Sequence, residues 1–130
     1  MTSTPHPINP KALSNMNDNI KSQFRKGILE LCVLRLLRRG QAYPSDIIKA
    51  LSEAGLGVVE GTIYSLLNRL RRDGRLDYLW RESRQGPPRK YFYLTPSGFE
   101  FLESLEKAWN EIENTVNHFS NIHPSSSHHE

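Results

Sequence analysis

The 130-residue sequence predicts a mainly α-helical domain carrying one small β-hairpin. Three observations predict it: three successive stretches with helical apolar spacing, two alternating runs joined by a proline-bearing segment, and a final stretch with a seven-residue apolar repeat. A chain of this length buries a core large enough to fold as one domain without cross-links. Its single cysteine, Cys32, lies in an apolar run, which excludes a disulfide framework and suits the reducing cytoplasm. Cys32 is expected to be a small buried apolar residue rather than a reactive thiol. No apolar run approaches the roughly 18 residues of a membrane span, and the N-terminus lacks the apolar segment of a secretory signal, so no membrane partner is expected.

The pattern divides the chain into a flexible tail over 1–19, a helix-and-hairpin domain over 20–95, a last helix over 96–120 and a second tail over 121–130. Residues 1–16 hold three prolines among small polar residues, the composition of a solvated tail. From Ser22 to Arg39 the apolar positions 28, 29, 31–34, 36 and 37 form a stripe so wide that this helix is expected at the centre, ended by Gly40. In "YPSDIIKALSEAG", Pro44 suits the first helical turn, Ser45 and Asp46 suit the positive end of the dipole, and Ile47, Ile48 and Leu51 face inward. In "GTIYSLLNRLRRDG" the inward stripe is Ile63, Leu66, Leu67 and Leu70, and Asp73-Gly74 ends the helix. "RLDYLWRE" then alternates with Leu76, Tyr78 and Trp80 on one side, and "RKYFYLT" alternates with Phe92 and Leu94 opposite Tyr91 and Tyr93. Because proline donates nothing to a ladder, Pro87 and Pro88 are expected in the loop between the strands, stiffening it. Three helices and a hairpin in this order make a winged helix-turn-helix. Thr95 caps the last helix, with Pro96 in its first turn.

Charge is unevenly spread. Residues 61–90 hold eight Lys/Arg against three Asp/Glu, whereas residues 91–130 hold one against six. One face of such a chain suits a polyanion, and another serves some different purpose. Opposite its inward stripe the third helix shows Gly61, Tyr64, Ser65, Asn68 and Arg72, with Thr62 and Arg69 on the flank. Small residues permit close approach, Asn reads adenine edges, Ser and Thr meet bases or phosphates, and Arg71, Arg72 and Arg75 supply charge, which together suit a major groove. An ordinary solvated helix face fits the same polar residues, and Tyr64 also suits packing on the second helix. The hairpin sets Arg84, Arg89 and Lys90 beside a stiff protrusion matched to a phosphate backbone or minor groove; the other reading is a hairpin kept soluble by its charges.

In the last helix Leu102, Leu105, Trp109, Ile112, Val116 and Phe119 are spaced 3, 4, 3, 4, 3. This is a narrow seam of the kind that pairs with a second helix, while Glu100, Glu103, Glu106, Glu111 and Glu113 keep the rest wet. The seam fits a second copy of the chain, the alternative being the chain's own first helix. Catalysis is not expected, since no Cys/His pair, carboxylate cluster near a His or phosphate-cradling glycine loop stands in the ordered region. No cofactor or metal is expected either: His123, His128 and His129 sit on a Ser-rich tail without fixed geometry.

"GILELCVLRLLRRG", "GTIYSLLNRLRRDGRL" and "GPPRKYFYLTPSG", in that order, closely resemble the PadR-type transcriptional regulators of bacteria, over about Phe24 to Phe119. The single short C-terminal helix resembles the smaller subfamily, whose members dimerise through it. The resemblance implies a cytoplasmic repressor that binds double-stranded DNA as a homodimer. It places Gly61, Thr62, Tyr64, Ser65 and Asn68 where the recognition helix meets DNA, and Pro88, Arg89 and Lys90 in the wing. Trp109 falls where members often set a tryptophan near the dimer axis, a region some use for planar aromatic or cationic effectors. The chain departs from the pattern with "YPSDI" where the family often reads "HGYEI", and with Glu60 in "VEGTIY". A winged-helix module that binds proteins without DNA is the other reading, disfavoured by the basic block.

Overall fold

The computed structural model describes residues 10–120, and its element order is α1 (Pro10–Arg38), α2 (Pro44–Glu53), α3 (Glu60–Arg72), β1 (Leu76–Ser83), β2 (Gly86–Leu94) and α4 (Pro96–Ser120). Residues 1–9 and the tail 121–130, with its histidines, lie outside the described residues. The first helix begins at Pro10, inside the stretch 1–19 expected as a tail. Proline suits a first helical position, and no further Gly or Pro intervenes before Gly27.

α1 is central, as its wide stripe predicts. Val33, Leu34 and Leu37 are buried against Ile47 and Leu51 of α2, and against Ile63, Leu66, Leu67 and Leu70 of α3. No polar or charged residue is buried as a whole among the described residues, although the half-buried Arg25 keeps its Nε out of solvent without a hydrogen-bond partner. Cys32 is half-buried, and that burial pushes its thiol up despite the opposing pull of Arg35.

The hairpin pairs antiparallel from Leu76 opposite Leu94 to Arg81 opposite Arg89, and resumes at Ser83 opposite Gly86. Glu82 therefore faces two residues, Pro87 and Pro88, which form a β-bulge inside β2. This corrects their expected place in the loop. In a two-stranded ribbon both strands are edges, and a bulge needs no amide from its extra residue, so the ladder tolerates both prolines. The turn itself is the short Arg84-Gln85, with Gly86 supplying a φ of 145°. An isolated bridge joins the α1–α2 loop to the wing: Phe92 N–H donates to Ala42 O at 2.9 Å, and Ala42 N–H donates to Phe92 O at 3.1 Å.

α4 is fastened at its start and along its first turns. Thr95 Oγ1 accepts from Gly98 N–H at 3.0 Å and donates to Gly74 O at 2.6 Å, tying the helix to the α3–β1 turn. Farther along, Arg35 Nε lies 2.9 Å from each carboxylate oxygen of Glu106, and Arg38 adds a bond at 3.1 Å. Hydrogen bonding from Arg35, reinforced by the charges of Arg35 and Arg38, holds the Glu106 carboxyl below its ordinary value of 4.5. The clamp's contribution is thus complete above that value and is lost as pH falls through the lowered one. Thermal melts from about pH 6 to about pH 3 should show declining stability, and Glu106→Gln should flatten part of that decline. An equal decline in both proteins would remove the clamp from the acid response.

Candidate nucleic-acid interface

The third helix turns Ile63, Leu66, Leu67 and Leu70 into the core, all at most 7% exposed, and this fixes what it shows to solvent. Gly61, Thr62, Tyr64, Ser65, Asn68 and Arg72 are all exposed. Their order follows from the helical period alone. Tyr64 stays outside the core at 42% exposure.

The fold brings part of this face against the wing. Tyr64 and Asn68 share one cleft of about 560 Å³ with Pro88, Arg89 and Lys90. Gly61, Ser65 and Arg72 lie outside it, while Thr62 is on the opposite flank, in a groove with Glu30 and Arg69. The cleft also takes Tyr43 and Ser45 from the start of α2 and Trp80 from β1, which the sequence reading passed over. Tyr43 and Ser45 arrive through tertiary contact: the Ala42–Phe92 bridge pulls the helix start onto the wing, and the Tyr43 and Tyr91 rings meet at 3.7 Å. For Trp80 the alternation of β1 points inward, and only the fold shows it exposed in the cleft.

The arginines divide by task. Arg71 pairs with Asp77 at 3.3 Å and lies 4.5 Å over the Tyr78 ring, and Asp77 is lowered by the Tyr78 backbone N–H and by Arg71. Arg75 bonds Ser97 Oγ at 3.0 Å and stacks 4.4 Å over Phe101. Arg69 reaches Glu30 at 3.5 Å. Arg71 and Arg75, expected from the sequence to supply charge for phosphates, thus also brace the hairpin and α4. Arg72 makes no ion pair among the described residues. In the wing, Arg89 lies 5.3 Å over Tyr43, and Lys90 Nζ is 4.4 Å and 5.4 Å from the Tyr78 and Trp80 rings. The cleft lining carries the charges of Arg89 and Lys90 and no carboxylate. Glu60 sits in the first turn of α3, beside the positive end of the helix dipole.

A helix with a polar, small-residue face set beside a cationic wing is the arrangement by which winged helices meet duplex DNA. The family model for the transcriptional regulator PadR-like family matches residues 33–104, spanning α1 to α4. The chain belongs to the PadR-like family. It is therefore a DNA-binding transcriptional regulator, in a family of regulators rather than enzymes. Among solved structures it is similar to a PadR-like transcription factor from Bacteroides fragilis, at 57% identity and a TM-score of 0.65, covering 78% of this chain and 98% of that one. A PadR-like regulator from Bacillus cereus is 32% identical with a TM-score of 0.71, covering 78% and 99%. A PadR family regulator from Eggerthella lenta is 27% identical with a TM-score of 0.75, covering 87% and 99%. The PadR-like winged helix accounts for the mainly helical fold and its single hairpin.

The seam of α4 divides along its length. Leu102 is buried, and Leu105 and Trp109 are half-buried against the chain's own core. Ile112, Val116 and Phe119 are 57%, 60% and 71% exposed. Half of the repeat therefore packs on its own domain, and half has no cover among the described residues.

Proposed function

We propose that the chain is a repressor that binds a roughly palindromic operator as a homodimer. The observation that carries this reading is the shared cleft, where Tyr64 and Asn68 of the reading helix stand with Arg89 and Lys90 of the wing and no carboxylate opposes them. The exposed run Ile112, Val116 and Phe119 supports pairing of two copies. Two reading helices related by a twofold axis would enter successive major grooves, with half-sites ~34 Å apart. Trp109, half-buried where the packed and exposed parts of the seam meet, is where a planar hydrophobic effector would stack and shift the pair away from the DNA-competent spacing.

Titration of the chain's own upstream region tests the reading. The logarithm of the binding constant should fall steeply against the logarithm of salt. Asn68→Ala should cost about 1–3 kcal/mol on the operator and little on random duplex, while Lys90→Ala should weaken both alike and reduce the slope by about one. A flat slope, or equal effects of the two variants on both duplexes, would contradict these roles. Absence of any mobility shift would favour a winged-helix module that binds proteins instead.

A further inference from the structure

Trp80 is the largest side chain in the cleft and has no role in the core, being 60% exposed. The alternation of β1 would turn it inward with Leu76 and Tyr78, but the hairpin has left the core by that point and only Leu76 is buried. Its neighbours define what it can receive. Lys90 is its register partner on β2 and holds its ammonium group 5.4 Å from the ring, and Tyr78 meets the indole edge-on at 6.0 Å. Tyr64 of α3 lies in the same cleft, and Arg89 stands at its wing side. The floor is thus aromatic and the rim cationic.

A deoxyribose–phosphate strand offers the matching chemistry: an apolar sugar face next to an anionic phosphate. Duplex geometry also brings it there. When α3 occupies a major groove and the wing reaches the adjacent minor groove, the strand that walls one groove from the other passes between them. We propose that Trp80 is a DNA-contact residue, whose indole packs on a sugar of that strand while Arg89 and Lys90 hold the neighbouring phosphate. This rests on the DNA-binding reading above and adds a sequence-independent apolar contact to it. Tyr64 packs on the same strand from the side of the reading helix.

The contact makes a prediction that a charge contact does not. Trp80→Ala should weaken binding of a labelled random duplex and of the upstream duplex by the same factor, roughly tenfold, with the salt slope unchanged, because no phosphate neutraliser is removed. Lys90→Ala should instead lower the slope by about 0.9. Trp80→Phe should keep most of the affinity. Independently, the intrinsic fluorescence of the unaltered protein should be quenched by either duplex, and the quenching should shrink to the Trp109 background in Trp80→Phe. Affinity of Trp80→Ala within twofold of the unaltered protein would overturn the proposal, as would a silent Trp80 signal on a protein that binds. If Trp80→Ala copied the reduced slope of Lys90→Ala without any fluorescence response, the indole would only brace Lys90, and the proposal would fall. Failure of the unaltered protein to bind either duplex at low salt would remove the DNA reading itself, and this inference with it. Fluorescence of the unaltered chain decides the matter even if Trp80→Ala melts early.

Discussion

Gly98→Ala should lower stability by about 3 kcal/mol and the melting temperature by roughly 10–20 °C. A Cβ at this position would stand 2.0 Å from Arg75 O, 3.0 Å from Arg75 C and 3.1 Å from Leu94 Cδ2. The backbone conformation at Gly98 is not the left-handed one, so what requires glycine here is space. Arg75 O cannot retreat freely, since it accepts the Thr95 N–H at 3.1 Å. Nor can the first turn of α4 retreat, since the Gly98 amide is held by Thr95 Oγ1. Relief must come from lifting α4 off the α3–β1 turn, and the buried Leu102 one turn later would lift with it. Gly61→Ala is the control, because nothing lies within 4 Å of its added methyl. It should melt no lower than the unaltered protein, alanine being the better helix former by about 1 kcal/mol. A Gly98→Ala melt within two or so degrees of the original would mean that the turn yields easily and that this close approach does not fix α4.

That constraint also explains a piece of the sequence which periodicity does not reach. The spacing of Ile63, Leu66, Leu67 and Leu70 names a helix and its buried face, because burial of one side at 3.6 residues per turn leaves a direct trace. The hairpin order is legible for the same reason, through alternation. Alternation gives the side of a strand but not its distance from the core, so Trp80 reads as inward although β1 has outrun the core there. The prolines mislead by a general rule about ladders, which a bulge in a two-stranded ribbon evades. For Arg71 and Arg75 the sequence shows charge but not partners; their contacts with Asp77 and Ser97 are found only by folding. Of the candidate site, the outward residues of α3 and the cations of the wing are written locally. The cleft that unites them is tertiary: it depends on the Ala42–Phe92 bridge, which no local pattern encodes.

The second large effect concerns α4. The unaltered chain should sediment as a dimer at micromolar concentration, and Ile112→Asp combined with Val116→Asp should sediment as a monomer. Both side chains are more than half exposed in the single chain, so the change removes no intrachain core packing, and the helical circular dichroism of the winged helix should persist. In a twofold pair each substitution acts twice, placing new carboxylates across the axis beside Glu111 and Glu113. Like charges facing one another there oppose association, while Leu102 and the Arg35–Glu106 clamp still hold the first turns of the helix on their own domain. The loss should carry through to DNA. Two reading heads joined in one molecule bind with an advantage of about 10² to 10⁴ over either alone, and the monomer should lose affinity for a two-half-site operator by a factor in that range. Its affinity for a single half-site should change little, because α3, the wing and Trp80 are untouched. A variant that remains dimeric would place the pairing surface elsewhere than the exposed half of α4. A monomer that kept full operator affinity would mean that one winged helix suffices, and the twofold arrangement would have no part in recognition.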